Sequence, residues 1–393
     1  MFQKKLIAVA VMMTAAGTTF ADSNIATQNQ SGTGNAAAIT QNNGAVANTA
    51  AQTQTGNYNN ASTTQQGTSN NLANTYQEGE FNNATITQYD YANGSVADVN
   101  QVGNGNNAFV TQHTYNTSAT ADVDQYGNGN NATVFQDNAD GAYASAYQGG
   151  DANAVHIDQY WSDYGSVTSA QFGTGNSGTV LQIVSDGAVA SLYQNGGGNS
   201  ALIDQNTNSY NYGPGEGTVA SINQYGYDNN GIITQRNLSN EAYISQSYDR
   251  NFANVDQTGS HDGYANVSQT GYDNVATTTQ TGTQNYANVW QYGWNNNADV
   301  DQSGDYNQAS ANSEGYGNST DIDQAGNNNI AYINQYWYGE GNLAVVNQNG
   351  TGNYADVQQT GYYNSANVQQ TGAFNAATVS QSGTGNMATV VQN

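Results

Sequence analysis

The sequence has no cysteine, one proline and, in 393 residues, only four basic side chains. Without cysteine there is no disulfide framework and no thiolate metal site. Four Lys+Arg stand against 29 Asp+Glu. That balance argues against nucleic-acid binding, which needs cations to neutralise phosphates, and against an electrostatic membrane anchor. Charged residues make up 8% of the chain, where an ordinary globular protein has about one quarter. Large aliphatic side chains are too scarce to fill a conventional core. Glycine (45 residues), Asn, Gln, Ala and Thr take their place. Composition alone reads as low-complexity or disordered; periodicity argues otherwise.

The N-terminus reads as a secretory signal over residues 1–21. Lys4 and Lys5 form a positive start, LIAVAVMMTAA is a short apolar run, and Thr19-Phe20-Ala21 is an acceptable cleavage site. The run is too short for a comfortable transmembrane helix, and no other segment approaches that length, so no membrane insertion is expected. Cleavage would leave Arg236 and Arg250 against 29 acids, a net charge of 2 − 29 = −27.

What the chain has is a repeat. Counting from Gln101, the pattern Q-x-G-x-x-N-x-A-x-V-x-Q runs to Gln112 and recurs at 126–136, 195–205, 292–302, 360–370 and 382–392. Marker glutamines can be followed from Gln28 to Gln392 through units that include Gln125, Gln136, Gln291 and Gln302, with Ser313 at one expected glutamine position. Gln52 competes with Gln54 as the marker of the third unit. Of the 31 intervals, 20 are 11 residues long. From Gln54 to Gln205 the intervals alternate between 11 and 12 or 13, so the full repeat is a pair of units with one fixed and one tolerant turn. The longest insertion, Asn206 to Gly217 with Pro214, falls in the tolerant turn. The 13-residue step from Gln335 to Gln348 falls in the fixed turn and breaks the pattern.

Within a unit Asn106, Ala108, Val110 and Gln112 occupy every second position, and the residues between them vary from unit to unit. A period of two is a strand with those four side chains on one face, while Gly103 supplies a turn. Two short strands bury almost nothing; stacked rungs bury a continuous narrow core. A buried amide is costly unless bonded, and stacked glutamines about 4.8 Å apart can bond one another along the axis. The expected fold is an all-β solenoid of about 16 rungs, two strands per rung, roughly 75 Å long at that spacing. A short segment with a degenerate strand, 22–34, precedes a solenoid over 35–393. Its end rungs are regular. Asn35, Ala37, Ile39 and Gln41 form one; Asn375, Ala377, Val379 and Gln381, with Asn386, Ala388, Val390 and Gln392, form the other. Solenoids that stay monomeric carry caps, so these rungs are the expected sites of head-to-tail self-assembly.

The motif, paired into strand–turn–strand units behind a secretory signal, resembles the curlin repeat over Asn35 to Gln392. The resemblance implies a left-handed two-sheet β-solenoid and a major subunit of extracellular curli-type amyloid fibres, serving biofilm matrix and adhesion. It also implies three partners: further copies of the chain, a minor nucleator subunit and an outer-membrane secretion pore. Familiar curlins have about a third as many repeats and begin with a Gly-rich targeting segment that is absent here.

Other chemistry finds little support. His113, His156 and His261 lie far apart and read as solvated surface residues. Asp124, Asp158, Asp204, Asp256, Asp301 and Asp323 each precede a marker glutamine and point outward. Catalytic carboxylate pairs need a pocket, and flat rungs are expected to offer none, so neither an enzyme nor a cofactor is expected. The glycine/aspartate stretches have the wrong period for calcium nonapeptides, and no metal site is expected, with a loose calcium interaction at the outward aspartates as the alternative. Outward acids instead read as gatekeepers against premature aggregation. The 29 tyrosines read as stacking between rungs, with an adhesive surface as the functional alternative. A soluble monomeric solenoid binding ice or carbohydrate on a flat face is the alternative function. Its threonine ladder (Thr85, Thr87, Thr111, Thr133, Thr277, Thr279) is interrupted by Phe109, Phe135 and the aspartates.

Overall fold

The computed structural model describes residues 23–209 and 217–393. The signal reading of residues 1–21 and Pro214 lie outside them. Among the described residues every regular element is a strand, and every pairing between strands is parallel. One sheet of 16 strands starts at Ile25–Thr33, Thr49–Asn57 and Leu72–Glu80 and ends at Tyr354–Tyr362 and Ala376–Thr384. The second starts at Ala36–Asn42 and Asn60–Gln66 and ends at Ser365–Ala373 and Met387–Gln392. The chain alternates between sheets, so each rung takes one strand from each, and the rungs stack into a β-solenoid of about 16 turns.

Register follows the repeat. Ala97, Val99, Gln101 and Gly103 lie beside Ala121, Val123, Gln125 and Gly127. In the facing sheet Ala108, Val110 and Gln112 lie beside Ala132, Val134 and Gln136. A one-residue slip would turn every buried side chain to solvent. The core between the sheets is narrow, and Ala and Val or Ile fill it along its length. Volumes compensate across it: Leu192 replaces the usual valine, and Gly178 replaces an alanine facing it. A Cβ at Gly178 would lie 2.3 Å from Leu192 Cδ2.

The two turns differ for physical reasons. In the fixed turn Gly103 has φ +124°, and a Cβ there would sit 1.9 Å from Gly127 O of the next rung. Backbones stack too closely for any side chain, which holds both residue and spacing constant. In the tolerant turn left-handed pairs such as Asp90-Tyr91 and Thr114-Tyr115 absorb the longer steps, and their backbones still bond from rung to rung.

Three details correct or complete the sequence reading. The first marker is Gln30, not Gln28: Gln28 lies beside Gln52, and Gln30 lies beside Gln54. The strand Ile25–Thr33 pairs along its whole length with Thr49–Asn57. Gln54 is the ladder residue, and Gln52 occupies the valine position, where it bonds Thr63 Oγ1 across the core at 2.9 Å. The 13-residue step after Gln335 is a bulge in the strand Ile330–Glu340. Ser313 lies beside Gln335, yet Gly315 lies beside Gly339, so two extra residues are taken up between them.

Candidate functional site: the ladders and their two open edges

Inside the stack each glutamine does three things. Gln101 accepts from Gln77 Nε2 at 2.8 Å and donates to Gln125 Oε1 at 2.8 Å. Its second Nε2 hydrogen goes to Asn83 O, across the core, at 3.0 Å. Gln125, Gln136 and Gln302 repeat this arrangement, donating to Gln148, Gln159 and Gln324 at 2.8 Å each and to cross-core carbonyls. The ladder therefore runs along the axis and also ties the two sheets together. The cost of burying an amide is met only because neighbouring rungs supply partners. All donors in the ladder point toward the C-terminal end.

The asparagines bond in both directions along the axis. Asn106 Oδ1 accepts the backbone N–H of Asn130 at 3.0 Å, and Asn106 Nδ2 donates to Gly127 O at 2.9 Å. Asn106, Ala108, Val110 and Gln112 are all fully buried. Ser313 interrupts one ladder. Its Oγ donates to Gln335 Oε1 at 3.1 Å, while Gln291, which accepts from Gln269 at 2.8 Å, keeps only its cross-core bond to Val275 O at 2.8 Å.

At the ends the same side chains are left with half their partners. Asn35, Ala37, Ile39 and Gln41 are only half-buried, beside the unpaired outer edges of Ile25–Thr33 and Ala36–Asn42. Gln30 and Gln41 donate to Gln54 and Gln65 at 2.6 and 2.7 Å. Among the described residues their own Oε1 atoms receive no donor, and no earlier rung meets the N–H groups of Asn24 and Asn35. At the other end Asn375 is half-buried, while Ala377, Val379 and Gln381 are buried beneath the final strand; Ala388, Val390 and Gln392 are half-buried and Asn386 is exposed. Gln381 and Gln392 accept from Gln359 and Gln370 at 2.8 Å each. Each donates to a cross-core carbonyl at 3.0 Å, which leaves one Nε2 hydrogen directed outward. Asn375 and Asn386 offer Oδ1 atoms that no described residue meets. One edge presents glutamine acceptors and backbone donors; the other presents glutamine donors and asparagine acceptors.

The outward faces carry no comparable assembly. His113 is less solvated than its sequence position implied. It lies between Asp90 and Asp137 at 3.4 and 3.3 Å, with the Tyr89 ring 4.0 Å away. Among the described residues no group of three or more His, Cys, Asp or Glu could hold a metal ion. Thr85 lies beside Phe109, so the threonine row is broken. Acids do stack: Asp299 and Asp301 lie beside Asp321 and Asp323. Partial burial, then the Asp323, Asp299 and Asp301 carboxylates, push Asp321 up to about 6. Asp204 is instead paired with Arg236 at 2.7 Å. The expectation that flat rungs leave no concavity fails at an open cleft of about 450 Å³ beside Trp294 and Tyr316 and at a smaller one of about 330 Å³ beside Asp90 and Tyr91.

No helix among the described residues is long and apolar enough to cross a membrane. The model of the curlin associated repeat matches three stretches of the chain, residues 68–103, 315–348 and 364–393. No curated protein matches the chain.

Proposed function

We propose that this chain, a curlin-like repeat protein, is a structural subunit that polymerises head to tail into extracellular amyloid fibres. The observation that carries the reading is the complementary sense of the two open edges. In a head-to-tail contact Ala376–Thr384 of one copy lies beside Ile25–Thr33 of the next, and Met387–Gln392 lies beside Ala36–Asn42. Gln381 and Gln392 then donate to Gln30 and Gln41, and the N–H groups of Asn24 and Asn35 donate to Asn375 and Asn386. The contact reproduces the internal rungs. Two like edges cannot repeat this pairing, because glutamine donors then meet no glutamine acceptors. Head-to-tail contacts that do not close on themselves build filaments, and parallel in-register stacking with amide ladders is the bonding of cross-β fibres.

On this reading the protein is not an enzyme. Its partners are further copies of itself, a minor nucleating subunit and an outer-membrane secretion pore, and its place is a fibre at the bacterial cell surface, in biofilm matrix and adhesion. The test follows the chain from Asp22 out of denaturant by thioflavin fluorescence and electron microscopy, with and without preformed seeds. Unbranched fibres with a lag that seeds abolish are expected. A stable β-rich monomer that never polymerises, seeded or not, refutes the reading.

A further inference from the structure

Three irregularities of the repeat fall in the same part of the stack. Ser313 replaces a ladder glutamine, two extra residues bulge after Gln335, and the open cleft of about 450 Å³ lies against these rungs. That volume is in the small-ligand range of roughly 300–1,000 Å³. The floor is the glycine column Gly293, Gly315 and Gly339, which stack in register and bring bare backbone to the surface. Tyr292, Trp294, Tyr316 and Tyr362 form the walls, each roughly half exposed.

The rings at the cleft meet edge to face, where those of some other columns stack in parallel. In another column Tyr264 and Tyr286 lie 5.0 Å apart and 5° from parallel. Here Trp294 is nearly perpendicular to both neighbours, at 74° to Tyr272 and 81° to Tyr316. The next position of the column is not aromatic. Glu340 lies between Tyr316 and Tyr362 in register and lines the cleft. Its carboxylate accepts a hydrogen bond from Tyr363 OH at 2.9 Å. A second acid, Glu314, lies beside Tyr292 in register. The two arginines of the described chain are bound elsewhere, Arg236 to Asp204 and Arg250 to Asp273.

We infer that this cleft is a binding site for a small organic cation, of the quaternary ammonium class. Open aromatic faces attract cations through their quadrupole, most strongly for weakly hydrated ones. Glu340 adds the opposite charge between two rings, in a chain whose formal net charge is −25. The bulge after Gln335 carries Glu340 into the aromatic column while keeping Gly339 on the floor. The cleft lies wholly within one chain, so the inference does not rest on polymerisation.

The test titrates the folded chain calorimetrically with choline and, separately, with its neutral isostere 3,3-dimethylbutan-1-ol. One choline per chain is expected, with the isostere about tenfold weaker. Glu340→Gln and Trp294→Leu should each weaken choline about tenfold, while Tyr91→Leu, in the stacked Tyr91–Tyr115 pair far from the cleft, leaves it unchanged. All three positions are solvent-facing, and circular dichroism with thermal melts checks that each variant folds. Undetectable choline binding, equal binding of the isostere, or equal losses at Tyr91 and Trp294 would each overturn the assignment.

Discussion

Cutting the glutamine ladder in the middle and at its end should have opposite signatures. Gln112 accepts from Gln88 at 2.8 Å and donates to Gln136 at 2.9 Å and to Val96 O at 3.0 Å. Gln112→Leu keeps the volume and removes all three bonds, together with a weaker one from Gln112 Nε2 to Ala119 O at 3.2 Å. Gln136 Oε1 is then a buried acceptor without a donor, while Gln88 Nε2 keeps its carbonyls Leu72 O and Ser95 O at 3.2 Å each. An orphaned buried acceptor costs about 1–3 kcal/mol and each net hydrogen bond about 1 kcal/mol. Leucine burial returns about 2 kcal/mol. The balance is a loss of about 3 kcal/mol, read as a lower urea midpoint for the dilute, unpolymerised chain. Gln392→Leu removes one bond from Gln370 and one to Ala376 O at a half-exposed position, and should cost under about 1 kcal/mol. It also removes the outward donor, so seeded elongation should slow strongly while the midpoint barely moves. If Gln112→Leu matches the wild-type midpoint, the ladder is not what holds the rungs. If Gln392→Leu elongates at the wild-type rate, the edge donors do not guide assembly.

Other expectations follow from single positions. Asp321 has its pKa raised from 3.8 to about 6, so folding favours the protonated form and stability falls as pH rises through that window. The full rise corresponds to about 3 kcal/mol, reduced by solvent at this half-buried site to about 1 kcal/mol; Asp321→Asn should gain that amount at pH 7.5 and nothing at pH 4, and an equal gain at both would refute the cause. Gly178→Ala should cost about 2 kcal/mol against Leu192 Cδ2, and adding Leu192→Val should recover most of it in a double-mutant cycle; simple additivity would show that the two do not share the space. Gly103→Ala, with its Cβ 1.9 Å from Gly127 O, should cost more than about 3 kcal/mol in urea unfolding, and a neutral result would mean that the turns are not in contact.

The fold was legible because one period answered two questions. Asn106, Ala108, Val110 and Gln112 at every second position specify a strand, and the same spacing some thirty times specifies a stack. The alternating intervals likewise separated a turn that cannot vary from one that can. What escaped was anything that needs the second sheet. Gln28 and Gln30 share a face, and both are glutamine. Only the stacking of Gly32 beside Gly56 decides between them, and the signal was present as the Gln30-Ser31-Gly32 spacing. The cross-core bonds from each glutamine to an opposite carbonyl had no sequence signal, because they depend on how far apart the sheets lie. The cleft was invisible for a related reason: its walls come from strands a full rung apart, at positions that looked like ordinary surface tyrosines.

Regularity also explains where departures can occur. A ladder residue is bonded to the rung before and the rung after, so one change strains three rungs. Ser313 is tolerated because its hydroxyl still reaches Gln335 and because Gln291 keeps a carbonyl partner. The bulge after Gln335 is tolerated because register resumes at Gly339. The two fall in neighbouring rungs, and both leave the core continuous through Ala309, Ala311, Ala331 and Ile333. Irregularity is not confined to these rungs, since the pairing of Ser177–Ser185 with Ser200–Ser209 also shifts register between Ile183 and Ser185. What sets the later rungs apart is that their shift brings Glu340 into line with Tyr316 and Tyr362.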